Sequence, residues 1–295
     1  MGATDAPPSR WSLLAQFLGV SAGLVILACI GLSKLDLHVR SLPNVVRGPQ
    51  RVTLYQRPAW MSPGLADEIV NNVAGPILDM LTSQPEVSAD STVPKHVAEK
   101  FAGNGWVRRV AWVHCRSGGQ VEVNCEFREP TAIIAAGQWR HLIDAEGHVL
   151  PGLYSPEALA ECGFVEIRGY AGRIPAANRR WESDDIQDAL KLAVLLRPMH
   201  YANQVGAIDV SNHNGRLHPR ACWIVLITDR DTVIRWGRPP GKEGGLEITP
   251  QQKLALLAGV YRDYGHIDCG RSSIGIRWSP REVDVSVAAA ASGAQ

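Results

Sequence analysis

The chain has 295 residues, a formal net charge of +1, and 45% hydrophobic against 20% charged residues, the proportions of an ordinary folded protein. Near-neutrality excludes a polybasic surface for nucleic acid and a polyacidic tail. The length accommodates two modest domains with additional segments.

Residues 1–10 form a short N-terminal tail. Residues 11–33, WSLLAQFLGVSAGLVILACIGLS, carry no charge and lie between Arg10 and Lys34. At 1.5 Å per residue such a run crosses roughly 30 Å of hydrocarbon, so it predicts a transmembrane helix. A cleaved secretory signal would need a shorter apolar core and a small-residue cleavage site. ILAC, residues 26–29, loosely resembles a lipoprotein cleavage site, but Leu27 fits it poorly and Cys29 lies inside the apolar run. The uncleaved anchor is the better reading. Behind the span lie Lys34, Arg40, Arg47 and Arg51, ahead of it only Arg10 and the α-amine. That count favours a cytoplasmic main body, yet the rule is weakest for a long translocated domain. The residues by themselves leave orientation open.

No C-x-x-C spacing occurs, which removes zinc-ribbon and thioredoxin-like chemistry. Beyond Cys29, the odd set Cys115, Cys125, Cys162, Cys222 and Cys269 implies no complete disulfide framework. These residues read best as small buried hydrophobes.

Residues 34–50, with Pro43, Gly48 and Pro49, read as a linker into a strand, RVTLY. MSPGLADEIVNNVAGPILDML predicts a helix capped by Ser62, with Pro63 at its first position and a break or kink at Gly75-Pro76. Residues 82–91 predict a loop. VPKHVAEKFAGNG predicts a second helix stopped by glycine. Strands WVRRVAWVHC and QVEVNCEFREPTAIIAAG come next, joined around Ser-Gly-Gly. Val121, Val123, Cys125 and Phe127 alternate with Glu122, Asn124, Glu126 and Arg128, a half-buried antiparallel pattern.

WRHLIDAEGHVLPG packs His141, Asp144, Glu146 and His148 into one stretch. The residues alternate, turn at DAEG and alternate again, which predicts a hairpin with Gly147 at the positive-φ position. A metal site would need two or three of these side chains to converge; a hairpin splays them, so no metal is expected. Downstream, FVEIRGY predicts a strand. SDDIQDALKLAVLLRPM predicts a capped amphipathic helix beginning at Ser183, and VGAIDVSNHNGRL a strand and turn. ACWIVLITDRDTVIRWGRP predicts a hairpin around Asp229–Asp231. The helix ITPQQKLALLAGVYRDYG carries Thr249 as cap, Pro250 at its start, Gln252 for a capping box and Gly265 at its end. HIDCGRSSIGIRWSPREVDVSV closes the fold in strands, and residues 288–295 form a small-residue tail.

The order strand, helix, helix, strand, strand resembles a POTRA domain, and the chain beyond it resembles the extracytoplasmic part of the FtsQ/DivIB family of bacterial cell-division proteins. NGWVRRVAWVHC is similar to the family's p-W-V-x-x-A-x-V strand, and VEVNCEFREPTAII to its L-x-V-x-V-x-E-R-x-P-x-A strand. WRHLIDAEGHVLP is similar to l-V-D-x-x-G-x-v-f. VIRWGRP followed by QQKLALLAGVY resembles the pattern of a strand ending in Gly before a Lys-containing helix. HIDCG resembles the closing x-I-D-L-R, though Leu-Arg is missing after the Asp. The resemblance spans residues 51–287.

The resemblance implies an α+β protein: a transmembrane helix (11–33), a linker (34–50), a POTRA-like βααββ domain (51–130), and a second domain of antiparallel sheet with flanking helices (131–287). It also implies a non-enzymatic, single-pass scaffold of the division machinery in the inner (plasma) membrane, its main body extracytoplasmic. The expected partners are the membrane and division proteins resembling FtsB and FtsL, met by the C-terminal strands through Ser273, Ile274, Ile276, Arg277, Trp278, Val283 and Val285. Pro280 would lie at an edge or break between those strands.

No cofactor, nucleic acid or small-molecule substrate is expected. GRPPGKEGG, residues 237–245, has the wrong spacing for a Walker loop, and Glu243 stands where Ser or Thr is needed. His213 and His218 sit among turn-forming residues, and no G-x-S-x-G elbow occurs. The alternatives are a secretion or outer-membrane assembly component, which would want several POTRA repeats or a barrel, and an envelope hydrolase, which would want convergent perturbed acids in a pocket.

Overall fold

The computed structural model describes residues 51–83, 93–116 and 120–278, together with Leu32, Lys34, Asp284 and Val285. The expected transmembrane run, apart from Leu32, lies outside the described residues, as do nearly all of the linker and the tail. No helix among the described residues is long and apolar enough to cross a membrane. The protein is α+β with two sheets. It divides into two compact units, residues 1–101 with 110–125, and residues 102–109 with 126–295.

The first unit follows the expected order: β1 (Arg51–Leu54), α1 (Pro63–Ser83), α2 (Val93–Ala102), β2 (Val107–Arg116) and β3 (Gln120–Phe127). The sheet order is β1-β3-β2, with β1 parallel to β3. Val121 and Val123 are buried, as the alternation predicts. The Ser62 hydroxyl accepts from Leu65 N at 3.2 Å and caps α1. Where a break or kink was expected at Gly75-Pro76, the helix continues through the proline without ending. Ile69, Val73 and Ile77 form one buried stripe at four-residue spacing across the proline. Burying that stripe offsets the ~3 kcal/mol an interior proline costs.

The second unit holds β4 (Pro130–Ala136), β5 (Trp139–Asp144), α3 (Pro156–Leu159), β6 (Val165–Arg168), α4 (Asp184–Leu196), β7 (Val205–Asp209), β8 (Ile224–Thr228), β9 (Val233–Gly237), α5 (Pro250–Tyr264), β10 (Ser273–Gly275) and β11 (Asp284–Val285). Their sheet order is β11-β10-β9-β8-β7-β6-β4-β5. The sheet, expected to be antiparallel, is mixed: β4–β5, β7–β8, β8–β9 and β10–β11 are antiparallel. β4–β6, β6–β7 and β9–β10 are parallel pairs. The cause is connectivity: α4 carries the chain from β6 to β7 and α5 from β9 to β10, and a helical crossover returns the next strand in the same direction.

Ile186, Leu190 and Ala193 of α4 and Leu254 and Leu257 of α5 share one core with Ile134, Ile167, Ile208, Leu226, Ile234 and Ile274 of the sheet. α5 begins with the full capping box: Thr249 Oγ1 accepts from Gln252 N, and Gln252 Oε1 accepts from Thr249 N at 2.9 Å. It ends at Gly265 with φ 71°. Ser183 precedes α4, but its hydroxyl bonds the Asp185 carboxylate instead of capping the backbone.

Candidate partner-binding edge

The end of the sheet that carries the C-terminal strands is organised by one buried carboxylate. Gly237 ends β9 with φ 109°, and a Cβ there would meet Glu247 Oε1 at 2.0 Å. The glycine therefore makes the space that Glu247 fills. Glu247 Oε1 accepts from Arg238 N at 2.8 Å and from Lys253 Nζ at 2.6 Å. Both the Glu247 and the Lys253 side chains are 0% exposed. Lys253 also stands 4.9 Å from the centre of the buried Trp236 ring. Burial pushes its ammonium below the ordinary lysine value, and Glu247 pulls it part of the way back.

The second oxygen of Glu247 reaches the C-terminal segment, with Oε2 3.3 Å from Arg277 Nε. The Arg277 carbonyl accepts from Ile248 N at 3.1 Å. The Arg277 guanidinium lies 4.0 Å from the centre of the Trp278 ring, and Trp278 is 52% exposed. A chain of polar contacts thus runs from the core to a surface tryptophan. Sequence reading missed this node. The available signal was a lysine on the apolar stripe of α5, in register with Leu254, Leu257 and Val260.

The seven residues expected to bind partners fall into distinct positions. Ser273 and Ile274 lie in β10, which is an inner strand between β9 and β11. Ile274 and Ile276 are fully buried and belong to the core, so their side chains are not offered to a partner. Ile276 N reaches Arg235 O at 3.5 Å, continuing the ladder to β9. Ser273 Oγ accepts from Arg235 at 3.0 Å. Arg277 is held by Glu247, and Trp278 is exposed beside it. Val285 pairs with Ile274 in the outer strand β11. Val283 lies outside the described residues, as does Pro280.

The opposite end of the sheet is covered. β5 forms bridges along its outer side, Arg140 with Tyr154 and Ile143 with Val149. Arg140 N donates to Tyr154 O at 2.8 Å and Tyr154 N to Arg140 O at 3.0 Å. Among the described residues no strand pairs with the outer side of β11.

The hairpin after β5 turns as expected, with Gly147 at φ 91° and Asp144 N bonded to His148 O at 3.1 Å. Its polar side chains do not all splay. Ligand atoms of Asp144, Glu146 and His148 lie within 4.8 Å of one another, while His141 stands apart from that group. A guanidinium occupies the junction: Arg128 Nη1 is 2.9 Å from Asp144 Oδ2 and 2.9 Å from His148 Nδ1. His148 Nδ1 also lies 3.3 Å from Asp144 Oδ2. Arg128 supplies the positive charge that a metal would otherwise bring. Asp144, 1% exposed, also accepts from His148 N at 2.7 Å and so fixes the turn.

In the loop 238–247, Lys242 Nζ bonds Asp188 Oδ2 at 2.6 Å, which commits the amine that a phosphate loop would need. Asp188 also accepts from Lys191 at 3.0 Å and pairs with His213 Nε2 at 2.9 Å. His213 therefore belongs to a structural knot joining α4 to two loops. His218 contributes its carbonyl to Asn212 in the turn after β7.

Neither a scan against protein-family models nor a search of curated proteins finds a match for the chain.

Proposed function

We propose that the protein is a non-enzymatic, membrane-anchored scaffold of the bacterial division machinery that recruits partner proteins by strand addition at β11. The observation that supports this reading is the asymmetry of the eight-stranded sheet. One end is closed by bridges on β5, whereas the other ends in the short strand β11, with no further strand on its outer side among the described residues. A strand that presents unpaired N–H and C=O groups accepts an extended segment, and the backbone ladder then supplies affinity. Trp278, exposed and stacked by Arg277, adds an aromatic anchor of the kind that concentrates binding energy.

The ordered motifs over residues 51–287 resemble the FtsQ/DivIB family, so the finer reading is a POTRA-like first unit and an FtsQ-like second unit. On that reading the uncharged run 11–33 anchors the chain in the inner membrane, the main body is extracytoplasmic, and the partners are division proteins resembling FtsB and FtsL. The test is affinity capture of those partners from solubilised membranes by the full chain and by Val285→Pro. Proline at an edge removes one ladder donor while leaving the fold largely intact. Loss of capture with native circular dichroism is expected. Undiminished capture by a natively folded variant would overturn the proposal.

A further inference from the structure

A second acceptor edge lies in the first unit. β1 is the outer strand of its sheet, beside β3. Tyr55 N donates to Val123 O at 2.8 Å, so the alternation of the strand turns Thr53 and Arg51 toward β3 as well. Val52 and Leu54 then direct their N–H and C=O groups away from β3. Among the described residues nothing is bonded to those groups.

They open on a groove of about 460 Å³ between β1 and α1. Its far wall is one face of the helix, formed by Ala66, Asp67, Val70, Asn71 and Ala74. The spacing places small and apolar side chains opposite the strand edge. Among the lining residues Arg51 and Arg57 stand against a single carboxylate, Asp67. Arg57 spends one N–H on the Met61 carbonyl, and neither arginine has an ion-pair partner among the described residues. Among the described residues the groove thus combines an unpaired backbone edge, an apolar wall and excess positive charge.

We infer that this groove binds an extended, acidic segment of a partner polypeptide as an added strand beside β1. The backbone groups of Val52 and Leu54 supply the ladder, the wall of Ala66, Val70 and Ala74 takes the side chains on one face, and Arg51 meets a carboxylate. This site is independent of the β11 edge and does not rest on the function proposed for it.

The test uses the full chain in detergent and two short fluorescent peptides, one alternating Glu with Val and the other Lys with Val, read by anisotropy. The Glu peptide is expected to bind about tenfold more tightly than the Lys peptide, and Arg51→Glu to remove or reverse that preference. Leu54→Pro, which deletes an outward N–H at an edge where proline is tolerated, should abolish binding with native circular dichroism. Should that variant misfold, Asn71→Trp replaces it, since Asn71 is exposed on the groove wall and a bulky ring there fills the space. Val285→Pro should leave peptide binding unchanged, which separates this site from the C-terminal edge. Equal binding of both peptides, binding of neither, or binding undiminished in natively folded Leu54→Pro or Asn71→Trp would overturn the inference. So would dimerisation of the free chain abolished by Leu54→Pro, because the occupant would then be a second copy.

Discussion

Glu247 Oε1 accepts a hydrogen bond from Lys253 Nζ at 2.6 Å, and solvent reaches neither side chain. The pair joins the loop after β9 to the start of α5, and through Arg277 it reaches the C-terminal segment. Removing one member of a buried pair leaves the other charge uncompensated, at a cost of about 3–5 kcal/mol. Arg277 still meets Glu247 when Lys253 is gone, so Lys253→Met should lower stability to urea by part of that amount. Combining it with Glu247→Gln should recover part of the loss, because the uncompensated carboxylate is gone. Strictly additive losses in the double-mutant cycle would show that the two residues do not act as a pair.

Gly237→Ala should be destabilising for two reasons that reinforce each other. The φ of 109° costs a Cβ-bearing residue about 1–3 kcal/mol, and the new methyl group would lie 2.0 Å from Glu247 Oε1 and 3.1 Å from Arg277 Cγ. Relaxation must displace Glu247, so thermal unfolding should shift downward while the Trp278 environment changes in fluorescence. A variant as stable as the parent would contradict the placement of Glu247.

Asp188 links stability to acid. Burial by itself would raise its pKa, but hydrogen bonds from Lys242, His213 and Lys191 outweigh burial and hold it below the ordinary aspartate value. A carboxylate depressed in the folded state stabilises above its unfolded pKa of about 3.9, and that contribution is lost as the pH falls through the lower folded value. Urea stability should fall in that acid window for the native chain, and Asp188→Asn should flatten this part of the profile. An unchanged acid limb in the variant would assign the loss to other carboxylates.

Arg128 predicts the behaviour of the hairpin toward metals. With its guanidinium 2.9 Å from both Asp144 and His148, zinc titrated into the purified chain should bind without defined stoichiometry. Asp144→Ala, which strands a largely buried arginine, should cost about 3 kcal/mol. Stoichiometric zinc lost on changing His148 to Ala would refute the assignment.

The proposed topology is tested separately. A reporter fused after Gln295 that is active only outside the cytoplasm should be active, and one that is active only inside should be silent. The reverse result would overturn the orientation while leaving the fold untouched.

Local chemistry made much of the architecture legible in the sequence. Thr249, Pro250, Gln252 and Gly265 marked both ends of α5, because a cap depends on residues only a few positions apart. The alternation through Val121, Val123 and Cys125 named the buried face of β3, since strand side chains alternate whatever lies opposite. The turn at Asp144 and Gly147 was readable on the same ground. At Pro76 propensity states the local cost of an interior proline but not the burial of Val73 and Ile77 that lets the helix continue.

What the tertiary structure decided was pairing between distant segments. Strand order made β10 an inner strand, which moved Ile274 and Ile276 from an expected docking edge into the core and left β11 outermost. The parallel pairs arise from where α4 and α5 return the chain, and alternation carries no information about direction. Glu247 meets Gly237 and Arg277, and Arg128 meets Asp144 and His148, only once the backbone has folded. A charged residue in the sequence reads as solvated by default. Whether it is instead buried and paired depends on which other segment arrives beside it, because desolvation and Coulomb energy belong to the assembled neighbourhood and not to the residue.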